Sequence, residues 1–203
     1  MTTFITRLDA SGDGPRLAVK DIIDVEGVPT TAGCRALERI AEPAEKDAPC
    51  LAGARAAGAR IVGKANTHEL AALTTGINPW FGTPTNPLDA DLAPGGSSSG
   101  SAVAVATGEA DVAVVADTGG SVRLPSACCG TAGLKTTYGR VSLEGVWPLA
   151  KSFDTIGPMA RDVEGLVLGM QLLEPGFEAA AAPARVVGRI RTDGDPVIEA
   201  AVD

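Results

Sequence analysis

Ser121 follows two glycines within Asp117–Arg123, and that arrangement could do nucleophilic chemistry on a carbonyl. The hydroxyl would attack, and the bare backbone amides of the glycine turn could converge on the developing oxyanion. A serine hydroxyl is a poor nucleophile until a neighbour takes its proton. Two other segments offer that neighbour: the serine-rich run Pro94–Ser101, and Lys20 inside the apolar run Leu17–Asp24. Lysine acts as a base only when neutral, and burial lowers its reference pKa of about 10.4 by disfavouring the ammonium form. Val19, Ile22 and Ile23 indicate such an apolar setting, whereas Asp21 and Asp24 would oppose the shift if close. Lys20, Ser97 or a neighbouring serine, and Ser121 together read as a serine hydrolase that uses lysine as its base.

Competing chemistries fail on context. Gly96–Gly100 fits a GxSxG nucleophile elbow centred on Ser98, but that turn needs a strand directly before it and a histidine later in the chain. Leu92–Gly96 reads as a loop, and His68 is the only histidine. His68, an aspartate and Ser121 would make a triad in another order, yet His68 beside Glu69 reads better as a surface or capping residue. A P-loop needs GK[ST], which Gly96–Ser101 lacks, and Lys135–Thr137 resembles a KTG element without an SxxK partner. Four cysteines without CxxC spacing argue against zinc. Cys128 and Cys129 read as small buried residues pointing apart on a strand.

The elements that must position these groups alternate between strand and helix. Arg16–Val25 is predicted as a strand carrying Lys20, closed by Gly27 and Pro29. Asp47 is predicted to cap a helix through Ala57, with a strand over Arg60–Lys64 and a capping box at Asn66 and Glu69 opening a short helix to Leu73. Residues 76–96 make a long, ordered, proline- and glycine-rich loop. A helix over Ser99–Thr107, a buried strand over Asp111–Ala116 and a turn from Asp117 follow, so two Gly-Ser turns flank one helix-strand unit. Ala132–Ser142 is expected to be a short hairpin, and Asp162 to cap an amphipathic helix through Leu173. Residues 175–203 read as an alanine-rich linker, a strand over Arg185–Arg191, and a helix capped by Asp195 with Pro196 at its first position. The pattern implies an α/β fold.

Composition sets the outer bounds. A chain of 203 residues suffices for one domain with a real core. The net charge of -8 argues against nonspecific binding to nucleic acid or anionic membrane, which needs clustered Lys and Arg; a small neutral or cationic substrate fits better. No apolar run reaches the roughly 20 residues of a membrane span, and Met1–Leu8 lacks the features of a signal peptide. With reduced cysteines, these observations give a cytoplasmic expectation.

Six segments then resemble the amidase signature family, in that family's order and spacing: Ala18–Asp21, Gly63–Leu70, Pro84–Pro87, Pro94–Ala104, Asp117–Arg123 and Gly133–Thr136. The resemblance runs from about residue 17 to 173. It implies a mixed, largely parallel sheet flanked by helices and a Ser-cisSer-Lys triad without metal or cofactor. Ser121 matches the nucleophile, Ser97 the bridging serine whose preceding peptide is cis in relatives, and Lys20 the lysine that ends the relay. Thr118, Gly119, Gly120 and Ser121 would offer amides to the oxyanion, with Ser98, Asp117 and Arg123 supporting; Asp117 and Arg123 match positions that brace the loop. Ser99 departs from the family's common GGSSGG by replacing glycine.

Family domains run well beyond this length, so the resemblance implies a single domain present as its N-terminal half, an incomplete fold lacking much of the substrate pocket. The expected activity is hydrolysis of a small carboxamide through an acyl-serine. The alternatives are a silent chain that only associates with partners, such as a complementing polypeptide or a second copy, and the A subunit of a tRNA-dependent amidotransferase.

Overall fold

A computed structural model of the protein describes residues 2–179, 186 and 194–202. In chain order it contains β1 (Phe4–Arg7), β2 (Arg16–Lys20), α1 (Arg35–Glu38), α2 (Ala52–Ala56), β3 (Arg60–Ala65), α3 (Ser99–Ala106) and β4 (Val112–Asp117). Then follow α4 (Arg123–Cys129), β5 (Ala132–Gly133), β6 (Thr155–Ala160), α5 (Val163–Leu173) and α6 (Pro196–Val202). Six strands form one mixed sheet in the order β1-β3-β2-β4-β6-β5. Its centre, β3-β2-β4, is parallel; the flanking pairings are antiparallel.

Period-two alternation divides the interior into two layers. Leu17 and Val19 of β2, Ile61 of β3, Val112, Val114 and Ala116 of β4 and Ile156 of β6 share one cluster with Leu51 and Ala54 near α2 and Leu172 of α5. Ala18, Ala65, Ala113, Val115 and Met159 share the other with Ala102–Val105 of α3, Val122 and Cys129. Lys20 follows Ala18 by two residues and Asp117 follows Val115 by two. Both therefore end their strands on the α3/α4 face, at the carboxyl edge of neighbouring parallel strands, where α/β sheets place their sites.

Helix α3 runs through the interior with Ser99–Val105 all buried, and its small residues permit that. At Gly100 a Cβ would lie 2.2 Å from the Thr3 carbonyl oxygen and 2.4 Å from the Asn66 nitrogen, so only glycine lets the helix approach β3. On the opposite face Asp162 caps α5 as expected, accepting from the Gly165 amide at 2.8 Å.

Several sequence expectations give way. The Lys20 strand stops at that residue: the Ile22 and Ile23 amides both turn back to the Lys20 carbonyl. Asp47 does not cap a helix, because its carboxylate takes the Glu26 amide and the Arg55 guanidinium; a 3-10 turn at Pro49–Leu51 leads into α2 instead. The Asn66–Glu69 capping box is absent. Asn66 binds the Thr67 amide and the Thr2 and Gly82 carbonyls, and Glu69–Ala71 is a 3-10 turn with Leu70 at φ 54°.

Cys128 and Cys129 lie on α4 rather than on a strand, and Cys128 is exposed while Cys129 is buried. The hairpin over Ala132–Ser142 reduces to β5, which pairs with β6. Strand β6 had no sequence signal because it contains Gly157 and Pro158. Pro158 is tolerated because its carbonyl, and hence its missing donor, faces the two-residue β5 side, where Leu134 bonds to it. The strand expected over Arg185–Arg191 lies outside the described residues apart from Val186. Helix α6 forms with Asp195 accepting from the Val197 amide at 2.8 Å.

Candidate active site

The end of β2, the start of α3 and the loop after β4 converge on three side chains. Lys20 Nζ lies 2.6 Å from Ser97 Oγ, and Ser97 Oγ lies 2.9 Å from Ser121 Oγ. Hydroxyl hydrogens rotate, so this chain can carry a proton in either direction. Lys20 and Ser97 are fully buried, and Ser121 is 6% exposed. Ser97 sits after a cis Gly96–Ser97 peptide, and its carbonyl accepts from Thr67 Oγ1 at 2.8 Å and from the His68 amide at 2.9 Å. These bonds hold Ser97, the middle group of the three, from its backbone side.

Burial pushes the Lys20 pKa down to about 7, against the opposing charges of Asp117 and Asp154. Asp21 and Asp24, the acids that sequence proximity pointed to, are engaged elsewhere. Asp21 pairs with Lys64 at 3.0 Å and Asp24 accepts from Thr30 Oγ1.

Asp117 organises the loop that carries Ser121. Its buried carboxylate accepts from the Gly120 amide at 2.8 Å, the Val122 amide at 3.0 Å and the Arg123 guanidinium at 2.9 and 3.1 Å. Burial alone would raise the Asp117 pKa, but Arg123 and these amides hold it below the usual carboxylate range. Gly120, at φ 130°, takes a left-handed turn that favours glycine. The Gly120 amide, one of the four expected oxyanion donors, bonds to Asp117 in this structure. Among the described residues the amides of Thr118, Gly119 and Ser121 have no partner.

Ser98 is fully buried and its hydroxyl is without a hydrogen-bond partner among the described residues. It precedes α3 but follows loop, not strand, so the nucleophile-elbow context is missing. The His68 ring contacts Thr75 Oγ1 at 3.4 Å, while the Ser121 hydroxyl is bonded to Ser97.

Sequence reading missed Asp154 and the residues that wall the site. Ile22, Ala71, Val146, Trp147, Leu149 and Asp154 surround a cavity of about 10 Å³ against Lys20, Ser97 and Ser121. Asp154 is 5% exposed, and it accepts from Thr118 Oγ1 and from the Leu149 and Ala150 amides. The available signal was an acid directly before a strand. That strand, β6, was itself hidden by Gly157 and Pro158. Among the described residues no group of three His, Cys, Asp or Glu side chains is arranged to hold a metal ion, and no helix is long and apolar enough to cross a membrane.

A family model described as Amidase matches residues 14–185. The chain belongs to the amidase family. It is 48% identical over 164 residues to the A subunit of the glutamyl-tRNA(Gln) amidotransferase of Halobacterium salinarum, covering 81% of this chain and 38% of that protein. In structure it is similar to the corresponding A subunit from Thermotoga maritima, with a TM-score of 0.76 and 38% identity over 84% of this chain and 39% of that one. The peptide amidase of Stenotrophomonas maltophilia gives a TM-score of 0.73 at 38% identity, over 87% and 37%. The chain spans about two fifths of the length of these relatives.

Proposed function

We propose that this amidase-family chain carries the acyl-transfer centre of an enzyme that cleaves a carboxamide C–N bond. The observation that carries the reading is the unbroken Nζ–Oγ–Oγ chain at 2.6 and 2.9 Å that ends in a buried amine. Ser121 Oγ attacks the carbonyl carbon; its proton passes to Ser97 Oγ as the Ser97 proton passes to the neutral Lys20 amine. The carbonyl π electrons move onto oxygen, toward the free amides of Thr118, Gly119 and Ser121. One well-aimed donor is typically worth about 3–4 kcal/mol in such a transition state. Collapse breaks the C–N bond, and the leaving nitrogen takes the proton back from Lys20 through Ser97. Water then releases the acid from acyl-Ser121 by the same relay. Four free cysteines suit a reducing, cytosolic setting.

A fluorophosphonate probe tests the reading. Labelling is expected at Ser121, lost in Ser121→Ala and retained in His68→Ala; labelling that survives Ser121→Ala rejects the assignment. A second reading is favoured by the 48% identity to an amidotransferase A subunit: the carboxamide is the side chain of glutamine, and ammonia goes to a partner. Glutaminase activity that arises only with added amidotransferase partner chains selects it. Purified chain that neither labels nor turns over any amide, alone or with partners, fits a silent association role instead.

A further inference from the structure

One buried carboxylate, Asp154, bonds both to the loop that carries Ser121 and to the segment that walls the cavity beside it. Asp154 lies one residue before β6, and Thr155 beside it is registered against Asp117 at the end of β4. The Thr155 hydroxyl bonds to the Asp117 carbonyl at 2.8 Å. Asp154 Oδ1 accepts from Thr118 Oγ1, so it grips the residue that opens the donor loop. Its oxygens also accept from the Leu149 amide at 3.0 Å and the Ala150 amide at 3.0 and 3.1 Å. That ties down the strap 147–150, whose Trp147 and Leu149 wall the cavity over Ser121. The Trp147 amide in turn bonds to the Ile22 carbonyl at 2.7 Å, two residues from Lys20.

We propose that Asp154 is a positioning residue for acyl transfer: it fixes the Thr118 end of the donor loop and the Trp147–Ala150 strap against Ser121, and its charge stabilises the Lys20 ammonium formed when the serine proton is taken up. The inference rests on the acyl-transfer reading above. Its physical basis is that a buried carboxylate bonded to neutral donors retains most of its field, and that field acts strongly on a desolvated amine nearby. The charged groups around Lys20 are few. Asp117 approaches from the end of β4 and is already matched by Arg123, and Asp21 on the other side is matched by Lys64. Asp154 has no cationic partner among the described residues; its contacts are a hydroxyl and two amides. It is therefore the acid most available to answer a new positive charge. The direction of its effect agrees: Asp117 and, after it, Asp154 raise the Lys20 pKa against burial, and of the two only Asp117 is paired with an arginine.

Three variants of the chain separate the roles. Asp154→Asn keeps an acceptor and removes the charge; Thr118→Val cuts the grip on the donor loop and keeps the charge; Lys20→Met removes the amine. Each is followed by fluorophosphonate labelling across pH and by NMR of ¹³C-methylated lysines, with Lys20→Met assigning the Lys20 signal. Asp154→Asn is expected to slow labelling about tenfold or more at its plateau and to move the Lys20 titration midpoint to lower pH. Thr118→Val is expected to slow labelling without moving the midpoint. A midpoint and a rate unchanged in Asp154→Asn would overturn the proposal. If that variant fails to fold, a wild-type labelling rate in Thr118→Val overturns it instead. A wild-type chain that never labels Ser121 defeats the acyl-transfer reading, while the midpoint shift still reports on Asp154 independently.

Discussion

Two fully buried lysines sit on adjacent strands, and only one of them is arranged to do chemistry. Lys64 on β3 faces the Asp21 carboxylate at 3.0 Å, the Thr30 hydroxyl at 2.9 Å and the Pro29 carbonyl. Among the described residues Lys20 on β2 has one hydrogen-bond partner, the Ser97 hydroxyl at 2.6 Å. Burial is the same for both; the partner differs. A buried lysine with a carboxylate at contact distance forms an ion pair that holds structure, whereas burial beside a hydroxyl penalises the charged form and favours the neutral amine that a base requires. The chain thus places an ion-paired lysine and the lysine proposed as the base within one register step of each other, Val19 pairing with Lys64 and Lys20 with Ala65.

The comparison can be broken most forcefully by exchanging each lysine for methionine. Lys20→Met is expected to cut fluorophosphonate labelling of Ser121 about a thousandfold, the scale of a lost general base, with little loss of thermal stability. Lys64→Met leaves Asp21 buried without its cation and is expected to destabilise the fold by about 3–5 kcal/mol in urea unfolding. A Lys64→Met chain as stable as wild type would remove the distinction. Ser97→Ala interrupts the relay by removing the hydroxyl between Lys20 and Ser121 while leaving both amines in the chain, and about a hundredfold loss of labelling is expected.

A finer test uses pH and stability together. The Lys20 pKa in the fold is about 7 against a reference of 10.5, so between those values the unfolded chain holds a proton that the folded chain lacks. Stability from this residue therefore rises with pH across that window and is flat below it. Urea unfolding at pH 7 and pH 9 should show the rise in wild type and a smaller one in Lys20→Met. The smallest effect is expected at His68→Ala, with labelling within about twofold of wild type, because a side chain bonded only to an exposed surface hydroxyl contributes little.

What the sequence made legible follows the same physics. Lys20 stood out because an ionisable residue inside Leu17–Ile23 has to be explained, and Ser97 and Ser121 because glycine pairs precede them. Helix α4 was hidden by Pro125, which ordinarily ends a helix. In its first turn the missing donor has no intrahelical acceptor to lose. Gly157 and Pro158 hid β6, and with it Asp154, whose importance depends on a strand pairing 38 residues from Thr155 to Asp117. The diversion of the Gly120 amide was equally invisible, since it depends on the Asp117 carboxylate lying buried beneath the loop.

The most direct measurement is the pH dependence of Ser121 labelling by a fluorophosphonate, followed by intact-protein mass in wild type and Lys20→Met. A protonated amine cannot accept the relayed proton, so the wild-type rate should fall about tenfold per pH unit below pH 7 and level off above it. In Lys20→Met that limb should vanish along with nearly all of the rate, even at pH 9. A variant that labels at the wild-type rate, or one that keeps the same limb near pH 7, would contradict the account.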